Sequence, residues 1–442
     1  MGPRVDPVEA DERLPARTSV VVIGGGIIGT CTALFLARKG VPVVLCEKGH
    51  IAGEQSSRNW GWCRKMGRDP REIPLIIESL RFWQDMNTMV EGETGYRTSG
   101  ITYLAADQEE LDRQAAWLPY AEPYQLDTRI IGREEADRMF PGSTRRWAGG
   151  LHTASDGRAE PQKAAPAIAE GARRLGAVIL TGCAVRGVDT AGGRVAAVVT
   201  EKGRIACDSV VLAGGAWSSL FCGNLSLRLP QLKVLASVMR TEKLDGGPEV
   251  SATGPGFGFR KRLDGGYTVA QRNANISEIV PDSFRYFREF LPALRLTRKD
   301  LRLRLGRRTI AEARLKRRWK LDETTPFEQV RTLDPEPARG ILDEAQKNLT
   351  AAFPVFKDMK VAQRWAGLID VTPDAVPVIS AVDSPGGFFI ATGFSGHGFG
   401  IGPGAGRLMA DLVLGETPVV DPTPFRFSRF SDGTRPVPTS II

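Results

Sequence analysis

Histidine and cysteine are scarce. Three histidines and six cysteines in 442 residues leave little material for a metal centre. Cys31, Cys46, Cys63, Cys183, Cys207 and Cys222 include no CxxC pair. Thiols scattered through so long a chain are expected to be reduced and mostly buried rather than part of a zinc or disulfide framework. No stretch approaches the roughly 18 uncharged apolar residues that a membrane-spanning helix needs. The opening MGPRVDPVEADERLPARTS mixes acidic and basic residues and lacks the apolar centre of a secretory signal. Asp6 stands where a myristoylation pattern wants Ser or Thr. These absences lead to the expectation of a soluble, cytoplasmic protein.

What is present is glycine, placed at two ends of the chain. In TSVVVIGGGIIGTCTALFLARKGVPVVLCEKG, residues 19–23 form the β-branched run of a strand buried on both faces. Gly24, Gly26 and Gly29 follow as GxGxxG, a helix is expected to about Lys39, and a second buried strand ends at Glu47. The acid lies 18 residues beyond the third glycine. Strand, glycine turn, helix and acid in this order are the dinucleotide-binding fingerprint. The glycines admit a pyrophosphate to the backbone, the helix start stabilises its charge, and Glu47 would accept the ribose hydroxyls. Far downstream, residues 391–413 read ATGFSGHGFGIGPGAGRLMADLV. A second glycine loop heading a helix, here AGRLMADLV, suits a group that develops negative charge. A reduced flavin becomes anionic at its N1–C2=O edge, whereas a reduced nicotinamide becomes neutral. Backbone N–H groups of the run Gly396–Gly404 therefore favour a flavin.

The length favours two domains. Between them the elements are uneven. Helix 160–176, strand VIL and the antiparallel meander from Ala184 to Trp217 are regular, as is the buried strand 209–213. Segments 96–147 and 233–361 are not. The fold expected is α/β with an α+β second domain. A Rossmann-like FAD-binding domain of residues 1–95, 148–232 and 362–442 carries an inserted mixed or antiparallel-sheet substrate domain of residues 96–147 and 233–361. The latter contains a basic helical segment, 283–320. The net charge of +8 is concentrated there: Arg295–Lys320 holds twelve Lys or Arg against Asp300 and Glu312. Such a run is a solvated face, or a steering or docking surface for an anionic partner or another subunit.

The fingerprint, SSRNWGWCR at 56–64, VVLAGGAW at 210–217, TPDAVPVI at 372–379 and GFSGHGFGIGPGAG at 393–406 together resemble the FAD-dependent D-amino-acid oxidase superfamily. The likeness is closer to its sarcosine-oxidase, glycine-oxidase and D-amino-acid-dehydrogenase branch. The resemblance implies oxidation of a C–N bond in a D-, cyclic or N-substituted amino acid or a secondary amine. Hydride passes to flavin N5, and the imine hydrolyses. By position it implies that Gly24, Gly26, Ile27, Ile28, Gly29, Glu47 and Lys48 hold the ADP half. Ser56, Ser57, Asn59, Trp60 and Gly61 would follow the flavin's middle. Val185 would meet adenine, and Ala213, Gly214 and Trp217 would line the channel. Gly393, Gly396, His397, Gly398, Phe399, Gly400 and Ile401 would lie beside the pyrimidine ring.

Two positions depart from that branch. Gly400 stands where sarcosine-oxidase-like members place a carboxylate-gripping lysine, and Thr268 falls where a lysine is linked to oxygen activation. Both departures point to a dehydrogenase that passes electrons to a carrier rather than to an oxidase. For a carboxylate, arginine's planar fork is the suitable partner. Arg64 is the first candidate, followed by Arg260 and Arg272 around the strand DGGYTVAQ, with Tyr103 and Tyr267 as pocket walls. His397 is the candidate acid–base group, although a neutral amine needs no strong base. A flavin-bearing subunit of a larger complex and a tRNA-modifying flavoprotein are the alternatives, each using the basic segment.

Overall fold

The computed structural model describes residues 2–272, 274–297, 301–435 and 437–439. The run Val20–Ile23 forms β1, with every residue buried. Branching at Cβ stiffens such side chains and favours a pleated, packed surface. Helix α1 (Ile27–Arg38) starts at Gly26 and is buried from Ile27 to Ala37. It therefore lies inside the molecule, between the sheet and other helices. Next come β2 (Val43–Cys46), α2 (Ile73–Met89), α3 (Pro161–Arg174), β3 (Val178–Leu180) and β4 (Ser209–Leu212). The chain returns late to add β5 (Val378–Ala381), β6 (Phe388–Thr392) and α4 (Gly398–Leu414).

These strands make one six-stranded sheet in the order β5-β6-β4-β1-β2-β3. Every neighbouring pair is parallel except β5 and β6. Strand order reverses between β1 and β4, which opens a crevice at their carboxyl ends, the usual ligand position in such sheets. The predicted meander is present as Val185–Ala191, Arg194–Thr200 and Gly203–Ala206, all antiparallel. Gly192 and Gly193 turn its first hairpin with φ of +56° and +74°, values that a side chain would disfavour.

A ten-stranded mixed sheet forms the second layer. Two of its members revise the expected borders. Gly149–Thr153 pairs with Ile101–Ala105 and Thr128–Gly132, and Val361–Val371 pairs along the whole of Leu232–Thr241. Residues from 148 and from 362 therefore begin in this sheet, because their ladder bonds lie there rather than with β1. The basic segment is also not one helix. It is broken into Pro281–Arg285, Phe287–Thr297 and Arg307–Ala313 by a strand, Leu301–Arg304, that pairs with Asn275–Glu278. Leu-Arg alternation gives that piece the two-residue period of a strand. The six cysteines are all buried and free. Among the described residues no helix is long and apolar enough to cross a membrane.

The late glycines decide how α4 packs. A Cβ on Gly402 would lie 2.8 Å from Ile27, one on Gly404 2.7 Å from the Leu75 carbonyl, and one on Gly406 2.5 Å from Cys31. Three bare positions let α4 press against α1 and α2. The helix begins at Gly398, not at the expected AGRLMADLV, so half of the glycine-rich run is helix–helix interface rather than loop.

Candidate active site

The crevice at the ends of β1 and β4 is a cleft enclosing about 1230 Å³, partly open to solvent. Its floor is the first glycine turn. Gly24 has φ +111°, and a Cβ there would sit 2.4 Å from the Ala213 carbonyl oxygen. A Cβ on Gly29 would sit 1.9 Å from the Gly24 carbonyl oxygen, so Gly29 closes the turn from behind. On Gly26 it would meet Ser56 Oγ at 2.9 Å, within the cleft. The Ile27 N–H donates to Ser56 Oγ at 2.8 Å, and the amides of this first helical turn have no helical acceptor. Glu47 accepts the Gly25 and Gly49 N–H groups, each at 2.7 Å. Burial raises its pKa, while Lys48 and those amides oppose the rise.

Around this floor stand Ile28, Val185, Gly214, Trp217 and Asn59, all lining the cleft. Lys48 lines it too, but its ammonium is engaged by Glu54 at 2.6 Å and by two carbonyls. Glu54 also accepts from Trp217 Nε1 at 3.0 Å. Sequence reasoning passed over Glu54, as it passed over Asp370 at the far end. Ser57 does not line the cleft. It is buried, and its carbonyl accepts Gln162 Nε2 at 2.5 Å.

At the far end β6 leads into a turn with three positive φ angles, at Gly393 (+74°), Ser395 (+51°) and Gly396 (+87°). Asp370 ties it down by accepting the Gly393 N–H at 2.7 Å, Gln231 Nε2 at 3.1 Å and Thr392 Oγ1 at 3.2 Å. Burial pushes the Asp370 carboxyl up to about 6. Gly396, Gly398 and Phe399 then face the cleft. The opening amides of α4 carry the helix's positive end there. Two helix N-termini thus flank one elongated cleft.

Four residues of this loop that were expected beside the ligand do not line the cleft. His397 does not line the cleft; its Nδ1 bonds Glu72 Oε2 at 2.9 Å in the interior. Burial lowers its pKa, Glu72 opposes this and Arg68 adds to it. Arg68 donates to the carbonyls of Arg64 and His397. His397 therefore ties the loop to segment 64–72, and its Nδ1 is already committed. Gly400 is helical, and its carbonyl accepts Ser79 Oγ at 2.7 Å and Trp83 Nε1 at 2.9 Å. Ile401 is fully buried in the core. Gly393 serves the turn rather than the lining.

The arginine candidates separate. Arg260 is buried in a bidentate pair with Glu160 at 2.8 and 3.1 Å, and its Nε donates to the Trp60 carbonyl at 2.6 Å. That fork is saturated, so Arg260 braces the Trp60–Gly61 loop instead of meeting a ligand. Gly61 (φ +80°) passes so close that a Cβ would lie 2.9 Å from Arg260. Thr268 belongs to the same cluster, accepting from Arg260 and Arg262. Tyr267 is buried against Phe356 at 4.8 Å and donates to the Pro248 carbonyl, so it walls no ligand site. Arg64 and Arg272 share one aromatic neighbour. Their guanidiniums lie 5.7 and 5.2 Å from the Tyr103 ring, within cation–π range. Arg272 also pairs with Glu110 at 3.0 Å. Trp62 stacks on Tyr103 at 6.3 Å and Trp60 meets Trp62 edge-on at 5.3 Å, an aromatic row that starts beside Asn59. Buried Asp156 positions the arginine's loop by accepting the Lys65 N–H at 2.8 Å.

A family model described as FAD dependent oxidoreductase matches residues 19–412. L-Amino acid deaminase from Proteus myxofaciens, solved in complex with anthranilate, is 37% identical with a TM-score of 0.93, covering 98% of this chain and 97% of that one. L-Amino acid deaminase from Proteus vulgaris is 35% identical at TM-score 0.92, covering 96% and 100%. Glycine oxidase from Pseudomonas aeruginosa is 26% identical over 92% of this chain and 97% of its own. The glycine cradle, the acid after β2 and the doubled helix N-termini are what an FAD would require, and the chain belongs to the FAD-dependent oxidoreductase family.

Proposed function

We propose that the protein holds FAD along this cleft and oxidises the Cα–N bond of an α-amino acid, giving an imine that hydrolyses to an oxo acid and ammonia. Bound FAD supplies the two-electron acceptor for the substrate's hydride. The observation that carries the substrate class is the pair Arg64 and Arg272, both within cation–π range of the Tyr103 ring. A carboxylate that meets these guanidiniums gains charge-assisted hydrogen bonds, beside the aromatic row Trp60–Trp62–Tyr103. The amides opening α4 would stabilise negative charge on a flavin held beside them. No protein base is needed for a neutral amine, which agrees with His397 being held elsewhere.

Similarity at 35–37% identity to two L-amino acid deaminases favours an L-α-amino acid. The weaker likeness to glycine oxidase keeps a D-, cyclic or N-substituted amino acid as the second reading. For the acceptor, Thr268 lies in the Arg260–Arg262–Glu160 cluster where the oxidase-like lysine would be, which favours an electron carrier over oxygen.

Anaerobic mixing of the yellow protein with L-, D-, cyclic and N-methyl amino acids, followed by flavin absorbance, tests the reading. Bleaching by L-amino acids is expected, with faster turnover on an artificial acceptor than on oxygen. Arg64→Ala and Arg272→Ala are expected to raise KM about 10- to 100-fold or more, as loss of a charged hydrogen bond implies, with the flavin spectrum unchanged. A protein that refuses FAD, or one reduced by no member of the panel, overturns the proposal.

A further inference from the structure

Segment 325–334 comes, in the chain, between two strands of the ten-stranded sheet, Leu301–Arg304 and Val361–Val371. Its apolar side chains nonetheless pack on the other layer: Phe327, Val330 and Leu333 join the core built by β1, β2 and β4. Phe327 also lines the cleft, as do Trp217 and Phe221. Its ring meets Trp217 edge-on at 5.6 Å and Phe221 at 5.9 Å. Lys48, next to Glu47, stands over the Trp217 ring at 4.7 Å, so this aromatic group belongs to the Glu47 end of the cleft. The rest of the segment is fastened to the wall of that end. Arg186, which follows Val185, donates to both oxygens of Glu328 at 3.1 and 2.9 Å. The Val330 and Arg331 carbonyls accept Lys48 Nζ, each at 2.9 Å. Arg331 pairs with both oxygens of Glu201, and the Leu333 N–H donates to Glu54 Oε1 at 3.0 Å. Asp334 accepts Arg58 Nη1 at 2.7 Å. A Cβ on Gly49 would lie 2.4 Å from the Arg331 carbonyl oxygen, so the segment rests directly on the loop after β2.

We infer that segment 325–334 is a strap over the adenosine half of bound FAD, that Phe327 packs on that half, and that the cofactor leaves only after the strap lifts. The inference rests on the reading of this cleft as an FAD site. An aromatic side chain suits the position, because a base offers its π-face or ring edge to such a ring. The ties are not independent of the cleft. Lys48 holds the strap carbonyls and covers Trp217. Glu54 accepts both the Leu333 N–H and Trp217 Nε1. Lifting the strap therefore withdraws the partners of the aromatic wall at the same time. The Arg331 side chain is 41% and that of Glu201 16% exposed; a pair so placed holds modestly by itself. Closed together with the other ties, it makes opening rarer than the loss of any one bond, which retains the cofactor without a covalent link.

The test is release of FAD from the loaded full chain after dilution, followed by the rise in flavin fluorescence. Phe327→Ala is expected to release FAD about tenfold faster or more, as loss of an aromatic contact to a base implies. Arg331→Ala, which removes a tie without touching the cleft, is expected to speed release about threefold or more. Arg129→Ala breaks an exposed pair with Glu135 in the other sheet and is expected to release FAD at the wild-type rate. Near-ultraviolet circular dichroism and the visible flavin spectrum before dilution report the fold and the isoalloxazine end of each variant. If Phe327→Ala does not fold, Arg331→Ala decides the matter alone. Wild type that holds FAD while the strap variants release it no faster overturns the inference and leaves the reading of the cleft standing. Equal acceleration by Arg129→Ala also overturns it, since general loosening then explains the release. Wild type that takes up no FAD overturns both together.

Discussion

Glu160→Gln isolates the brace behind the Trp60–Gly61 loop. Burial alone would raise the Glu160 pKa, but the Arg260 guanidinium, aided by Arg262 and the Leu263 N–H, holds it down at about 2 from an ordinary 4.5. At about 1.4 kcal/mol per pH unit this interval is worth about 3 kcal/mol. Removing one member of a buried pair costs about 3–5 kcal/mol, because the remaining charge is left without compensation. The two routes agree on a loss of about 3 kcal/mol or more at neutral pH. The folded pKa is depressed, so the stabilisation is fully present above 4.5 and is lost as pH falls toward 2. Urea unfolding of wild type and Glu160→Gln across that range is the assay. The stability gap should be widest at neutral pH and close as the wild-type carboxylate protonates. Glu160→Gln combined with Arg260→Met should recover part of the loss, short of full recovery because the Trp60 carbonyl then lacks its donor. A gap below about 1 kcal/mol at neutral pH, or one that persists unchanged into acid, would refute the reasoning.

Gly406→Ala places a Cβ 2.5 Å from Cys31 Cβ and 2.6 Å from its backbone carbon. Overpacking of about 1–3 kcal/mol should then outweigh the helix-propensity gain of about 1 kcal/mol, lowering the melting temperature. Gly340→Ala, where nothing lies within 4 Å, should raise it; the same sign for both variants would show that α4 packing does not govern these glycines. Gly26→Val fills the space beside Ser56 Oγ, and the purified protein should be colourless and unresponsive to added FAD. Wild-type flavin content in that variant would remove the cleft's assigned floor.

Much of the parallel sheet was legible because its signals are local. A β-branched run buried on both faces, a glycine turn and a helix of small residues state their roles within thirty residues. The meander from 185 to 206 announced itself by period and turn chemistry. The family resemblance rests on those same contiguous motifs. Borders at 148 and 362 were misplaced because strand membership depends on which ladder a segment joins, and Gly149–Thr153 carries no mark of its partners. The basic segment 283–320 is expected to be helical, yet its Leu-Arg alternation at 301–305 has the two-residue period of a strand.

The sequence by itself determined the nucleotide-binding half, through residue types whose backbone freedom or charge has one use at that spacing. Only the tertiary structure decided which partners each arginine meets. Arg260, Arg272 and Arg64 are chemically alike in the chain, but a bidentate pair with Glu160, 100 residues from Arg260, saturates that fork, Glu110 takes one arm of Arg272, and Tyr103 lies beside both Arg64 and Arg272. It also decided the role of His397, which Glu72 draws into the interior, and of the late glycines, which serve contact with Ile27, Leu75 and Cys31. Each outcome depends on a partner distant in sequence, and long-range pairing is what a linear pattern does not carry.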